Sequence, residues 1–150
     1  MKSIIFFIFT LLFCPSISDK TGLTSVPSFL KFIPPEKRIA MENIILNQTL
    51  SQNQVNSKLD EWGLTLGRLF NNLYLSHKNA FLETKKQLKE KHNLMLQQET
   101  DEEYKKVDSQ IQALADNLDM PIIEIRRGIQ SIINNQTEEM KQKIKEKAPY

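Results

Sequence analysis

The sequence predicts an all-α protein, a compact bundle of about five helices that includes one long helix, behind a cleaved signal peptide. Three observations predict it. Beyond residue 34 the chain is mostly Leu, Ile, Lys, Glu, Gln and Asn, a composition weighted towards helix formers. Only 4 glycines occur, and the 6 prolines sit at segment edges, so long stretches run without a breaker. Apolar residues recur three and four positions apart, the spacing that gathers them on one helical face.

The first 18 residues read as an export signal. Lys2 gives a positive start, Ile4 to Phe13 an apolar run, and Pro15 a break before Ser16 and Ser18. The apolar run is roughly half the ~20 residues needed to span a bilayer. Cleavage after Ser18 leaves 132 residues, enough for one domain. It also removes Lys2, so the formal charge falls from +2 to +1. It removes Cys14 as well, the only cysteine of the 150-residue chain. The mature protein is then without a disulfide, thiol nucleophile or cysteine metal site, and packing alone must hold it. Acids and bases are interspersed, so neither nucleic acid nor an anionic membrane is a favoured partner.

The expected domain layout is a signal peptide at 1–18, an extended leader at 19–33, one helical domain at 34–146 and a tail at 147–150. Phe29 and Phe32 are expected to dock the leader on the body. The first helix starts at Pro34-Pro35, where a missing N–H costs nothing, and stops near Asn47. Ile39, Ala40, Met41, Ile44 and Ile45 make its apolar side. Ser51 and Gln54 form a capping box for the second helix. Its stripe is Val55, Leu59, Trp62 and Leu66, with Gly63 and Gly67 at its end.

From about Leu66 to Gln98 one long helix is expected. Tyr74, Phe81, Leu88 and Met95 are seven apart, but the half-heptad positions are His77, Thr84 and Lys91. The stripe is therefore narrow, and the middle of the helix carries less cover than its ends. A monomer is favoured over a homodimer through this face. Thr100 and Glu103 spell a second capping box. Tyr104, Val107, Ile111, Leu114 and Leu118 follow as the cleanest amphipathic pattern in the chain. A fifth helix begins after Met120-Pro121. It buries Ile122, Ile125, Ile129, Ile132 and Ile133, frays at Asn134-Asn135 and resumes through Met140 and Ile144. The first and last helix pairs share a short polar turn, yet no internal repeat survives residue-by-residue comparison. The core candidates are Leu59, Trp62, Val107, Ile111 and Leu114.

The chemistry on offer is sparse. No nucleophile elbow, H-E-x-x-H pair or phosphate-cradling glycine loop is present, which argues against an enzyme. His77 and His92 are fifteen apart on the long helix, too far to share a ligand, and read as rim residues. Two acidic places face a hard cation such as calcium or magnesium. One is Glu99, Asp101, Glu102 and Glu103, and the other is Asp60 with Glu61. No EF-hand spacing exists, and acids at a helix start also answer the helix dipole. Asn47-Gln48-Thr49 and Asn135-Gln136-Thr137 are glycosylation sequons.

Phe29-Leu30 stands before a proline-led helix, then comes Ile44-Ile45-Leu46-Asn47-Gln48-Thr49-Leu50-Ser51, and Val55, Leu59 and Trp62 follow spaced four and three apart. On these residues the segment from Phe32 to Leu66 resembles the nematode SXP/RAL family of secreted antigens, which shows Leu and Trp at this spacing. The likeness covers about residues 29–145. The family's turn carries threonine before an acidic helix start. Here Thr49 comes early, and the start is Gln52-Asn53-Gln54. The resemblance implies a secreted, extracellular, non-enzymatic helical protein with an unidentified extracellular or host partner. It also implies a cation-binding domain related to a parasite allergen. The alternatives are a helical carrier of an apolar small ligand and an interaction module that docks through the long helix.

Overall fold

The computed structural model describes residues 28–147, so the expected signal peptide, most of the expected leader and residues 148–150 of the expected tail lie outside the described residues. Six α-helices follow one short 3-10 turn at Ser28–Phe32. They are α1 (Pro35–Leu46), α2 (Gln52–Leu64), α3 (Arg68–Gln98), α4 (Glu102–Ala115), α5 (Ile122–Asn134) and α6 (Glu138–Lys147). The expected fifth helix is two, because Asn135 ends α5 and Thr137 starts α6, its hydroxyl accepting the Met140 N–H at 3.2 Å. Of the leader residues described, Phe29, Leu30 and Ile33 are buried, whereas Phe32 is 74% exposed. Phe29 docks edge-on against His77, and Phe32 does not dock.

Two separate apolar clusters form the core. The first joins Leu30, Ile33, Met41, Ile45, Val55, Leu59, Trp62 and Tyr74, with Ile122 reaching in from α5. Trp62 stacks edge-to-face on Tyr74, with ring centroids 5.6 Å apart, and its indole N–H donates to the Lys37 carbonyl at 2.8 Å. Ile39 is 55% exposed because it lies nearly opposite Met41 and Ile45 around α1. The second cluster joins Tyr104, Val107, Met140 and Ile144, with Met95, Leu96, Ile111 and Ile132 at its edge.

Helix α3 connects the two. Its buried residues are Tyr74 near one end and His92 near the other. Phe81 and Leu88 between them are only half-buried, as the broken heptad implies. The chain enters α3 through Gly67, whose φ of +79° suits glycine alone. Gly63 lets α2 and α3 touch, since a Cβ there would sit 2.7 Å from the Tyr74 ring.

The two short polar turns meet. Ser51 and Pro121 form an antiparallel β-bridge. The Asn53 N–H donates to the Leu118 carbonyl and the Ile123 N–H to the Gln48 carbonyl, both at 3.0 Å. Asn53 and Ile123 are 70 positions apart, and so are Gln48 and Leu118, Ser51 and Pro121, and the helix starts Gln52 and Ile122. Asn47 Oδ1 accepts the Thr49 N–H, and Asn117 Oδ1, 70 positions on, accepts the Asp119 N–H. The α1–α2 and α4–α5 turns, with the helix starts that follow them, are thus related by a local two-fold of hydrogen bonds, which a residue-by-residue comparison does not register. A two-fold of backbone hydrogen bonds leaves little residue identity, because only the turn conformation and the spacing of buried positions must match.

Candidate functional site

The acidic turn between α3 and α4 is where the sequence candidates gather. Thr100 and Glu103 do not form the expected capping box. Asp101 caps α4 instead, its Oδ1 accepting the Tyr104 N–H at 3.0 Å. Glu99 takes the outer position, with Oε1 accepting the N–H groups of Thr100 and Asp101, each at 3.0 Å. An aspartate one residue later reaches the same orphan donors, so the register slipped by one.

Helix α6 supplies the counter-charges. Lys143 Nζ lies 2.5 Å from Asp101 Oδ2 and 3.5 Å from Glu99 Oε1. Lys147 pairs with Glu99 Oε2. Glu99 is almost closed off, its side chain 6% exposed, whereas Glu102 is 81% exposed and pairs with Lys105 on its own helix. Glu103 is exposed. The Lys147 ammonium, followed by the Asp101 N–H, holds the Glu99 carboxyl down at about 2. Lys143 and then the Tyr104 N–H lower Asp101, and Asp101 in turn raises Lys143. Both ammoniums also stand over the Tyr104 ring, 5.2 and 5.4 Å from its centroid.

Beneath this turn lies a buried polar network that sequence reasoning missed. His92 is 3% exposed and faces both Asp108 oxygens at 3.0 and 3.1 Å. A carboxylate only accepts, so His92 Nε2 carries the proton. Tyr104 lies near the same carboxylate, and burial, with the nearby Asp108 and Glu99 charges, raises its hydroxyl above the ordinary range. The rim reading of His92 is therefore corrected. Asp108 sits one position past Val107, on the flank of the amphipathic stripe, and helix α4 lies against α3 there. An acid beside the apolar stripe of one helix, with a histidine on its neighbour, was the available signal.

The remaining candidates separate. Asp60 and Glu61 form no second cluster. Asp60 takes the Tyr74 hydroxyl at 2.8 Å and Lys78 at 2.6 Å, and these bonds outweigh its burial and lower its carboxyl. Leu59, Trp62 and Val107 are buried, and Ile111 and Leu114 are half-buried. Asn47 and Asn135 are both exposed in turns that follow helices.

A hard divalent ion wants six to eight oxygens in one place. At the α3–α4 turn the four oxygens of Glu99 and Asp101 already serve backbone N–H groups and lysines. Among the described residues, no group of three or more histidine, cysteine, aspartate or glutamate side chains is arranged to hold a metal ion. The donor set does not fit a tightly held ion. Two carboxylates do converge on one ammonium, Lys143, and a cation arriving there competes with it. Among the described residues no helix is long and apolar enough to cross a membrane.

No curated protein and no solved structure matches the chain. The family model described as SXP/RAL-2 family protein Ani s 5-like, metal-binding domain, matches residues 1–147. A match of that extent, on an all-helical chain of this order of elements, makes the protein a member of the SXP/RAL-2 family.

Proposed function

We propose that the protein is a released, non-enzymatic antigen-type member of its family that binds a divalent cation, calcium or magnesium, weakly at the acidic turn. The observation that carries the reading is the convergence of Glu99 and Asp101 on the Lys143 ammonium. An ion must displace Lys143 and Lys147 to reach those carboxylates, so affinity falls in the weak range of extracellular modules, about 10⁻⁴–10⁻³ M. Glu102 and Glu103 sit in the first turn of α4 and add negative potential rather than enclosure. The N-terminal signal pattern supports export. The sealed position of His92 and Asp108, out of a substrate's reach, supports a role without catalysis. Exposed Asn47 and Asn135, each in a turn rather than inside a helix, are the proposed glycan sites.

Thermal melts with and without millimolar calcium or magnesium test the cation. An ion at ten times its Kd adds about 1.4 kcal/mol of stability by mass action. Lys143→Met removes the competitor, so the same ion concentration should raise its Tm more than that of the unaltered protein. No shift in either protein up to tens of millimolar would sink the reading.

A further inference from the structure

We propose that the groove between α2 and α3 is a binding site for a fatty carboxylate of short to medium chain length. Leu59 and Tyr74, both buried, form the floor, and the half-buried Phe81 ring forms a wall. The cavity measures about 110 Å³ and is lined mainly by apolar atoms. Leu82 and Leu118 flank its mouth, 48% and 39% exposed. Two large aliphatic side chains left in water beside an apolar hollow are what an incoming chain covers.

Charge decides the class of ligand. Lys78 lines the groove, but Asp60 holds its ammonium with both oxygens, at 2.6 and 2.7 Å. His77 also lines it, and burial lowers its imidazole so that the neutral ring prevails at pH 7. Lys85 lines the groove as well, and among the described residues it has no partner. One unmatched positive charge therefore stands over an apolar floor. The complement is an apolar chain that ends in one negative charge. The cavity is smaller than the ~150 Å³ pocket that takes up benzene. It encloses the end of an acyl chain rather than a fused-ring lipid, and the mouth leucines cover what lies outside.

The test uses protein recovered from the medium of a eukaryotic host and titrates it with octanoate, octanol and octylammonium while amide resonances are followed. Octanoate should shift residues around Leu59, Tyr74 and Phe81 saturably. Affinity should rise about fourfold for each methylene added between hexanoate and octanoate. Lys85→Glu should weaken octanoate at least tenfold with the melting curve unchanged, whereas Lys86→Glu, also exposed on α3 but about 100° further around the helix and outside the groove lining, should not. Octanol or octylammonium binding as tightly as octanoate would overturn the assignment. So would unperturbed resonances at millimolar octanoate, or a Lys85→Glu protein that binds as before.

Discussion

The two ends of α3 are held by different physics. The region around Tyr74 is an apolar core in which ten buried residues from the 3-10 turn, α1, α2, α3 and α5 close on one another. The region around His92 has four buried apolar residues, Tyr104 among them, and adds a histidine and an aspartate that satisfy each other out of water. Lysines 143 and 147 close that end from above. Apolar burial is insensitive to pH and tolerant of relaxation. A buried polar network is stable only while every member is matched. The first end should therefore behave as ordinary core, and the second should answer to pH and to loss of single partners.

The largest effect should come from the apolar end. Trp62→Ala deletes the indole that fills the α1–α2–α3 junction and its bond to the Lys37 carbonyl, and should cost about 3–5 kcal/mol by urea denaturation. Next comes the polar end. Asp108→Ala leaves the His92 N–H buried without an acceptor, at about 2–3 kcal/mol. Hydrogen exchange should accelerate in α4 and α6 before α1 and α2. Equal acceleration everywhere would mean that the two ends open as one unit and would break the comparison.

The glycines sharpen it. Gly63→Ala drives a Cβ to 2.7 Å from the Tyr74 ring and 2.9 Å from Asn71 Oδ1. Tyr74 is pinned by Trp62 and Asp60, so the change should cost about 1–2 kcal/mol. Gly128→Ala meets the end of Leu114, at 2.8 Å. That side chain is half-buried and flexible, and alanine regains about 1 kcal/mol of helix propensity, so the net change should be near zero. Paired denaturation midpoints read the difference.

The smallest effect is confined to acid. Glu99 has its carboxyl lowered from 4.5 to about 2, so it contributes stability above pH 4.5 that is lost as the pH falls towards 2. In that window the unfolded chain binds the extra proton. Glu99→Gln should therefore flatten the fall in Tm between pH 4.5 and 2, and should leave the slope above pH 5 unchanged.

Much of the helical frame was legible because its signals are local. The Ser51–Gln54 capping box forms as the residues dictate, with bonds of 2.9 and 3.2 Å. Pro35 opens α1, Gly67 marks the break after α2, and the broken heptad leaves Phe81 and Leu88 half-covered. The α4 start was misread by one residue because Thr100 and Asp101 are both good caps, and the choice fell to Lys143 reaching across from α6. Among the sequence candidates for a cation, the identity of the acids was readable, but their lysine partners lie 42 and 48 positions away.

What the sequence by itself determined is the class of the protein: helices of about these lengths, their caps, and a helical body from residue 28 onward that contains no cysteine. Propensity, periodicity and capping act within a few residues, so they are written in the order of the chain. What only the tertiary structure decided is which distant groups meet. The Ser51–Pro121 bridge, the His92–Asp108 pair and the Lys143 ammonium between two carboxylates all depend on how α3 sets its neighbours. No spacing along the chain encodes those contacts, because burial and charge pairing are settled only when separate helices pack.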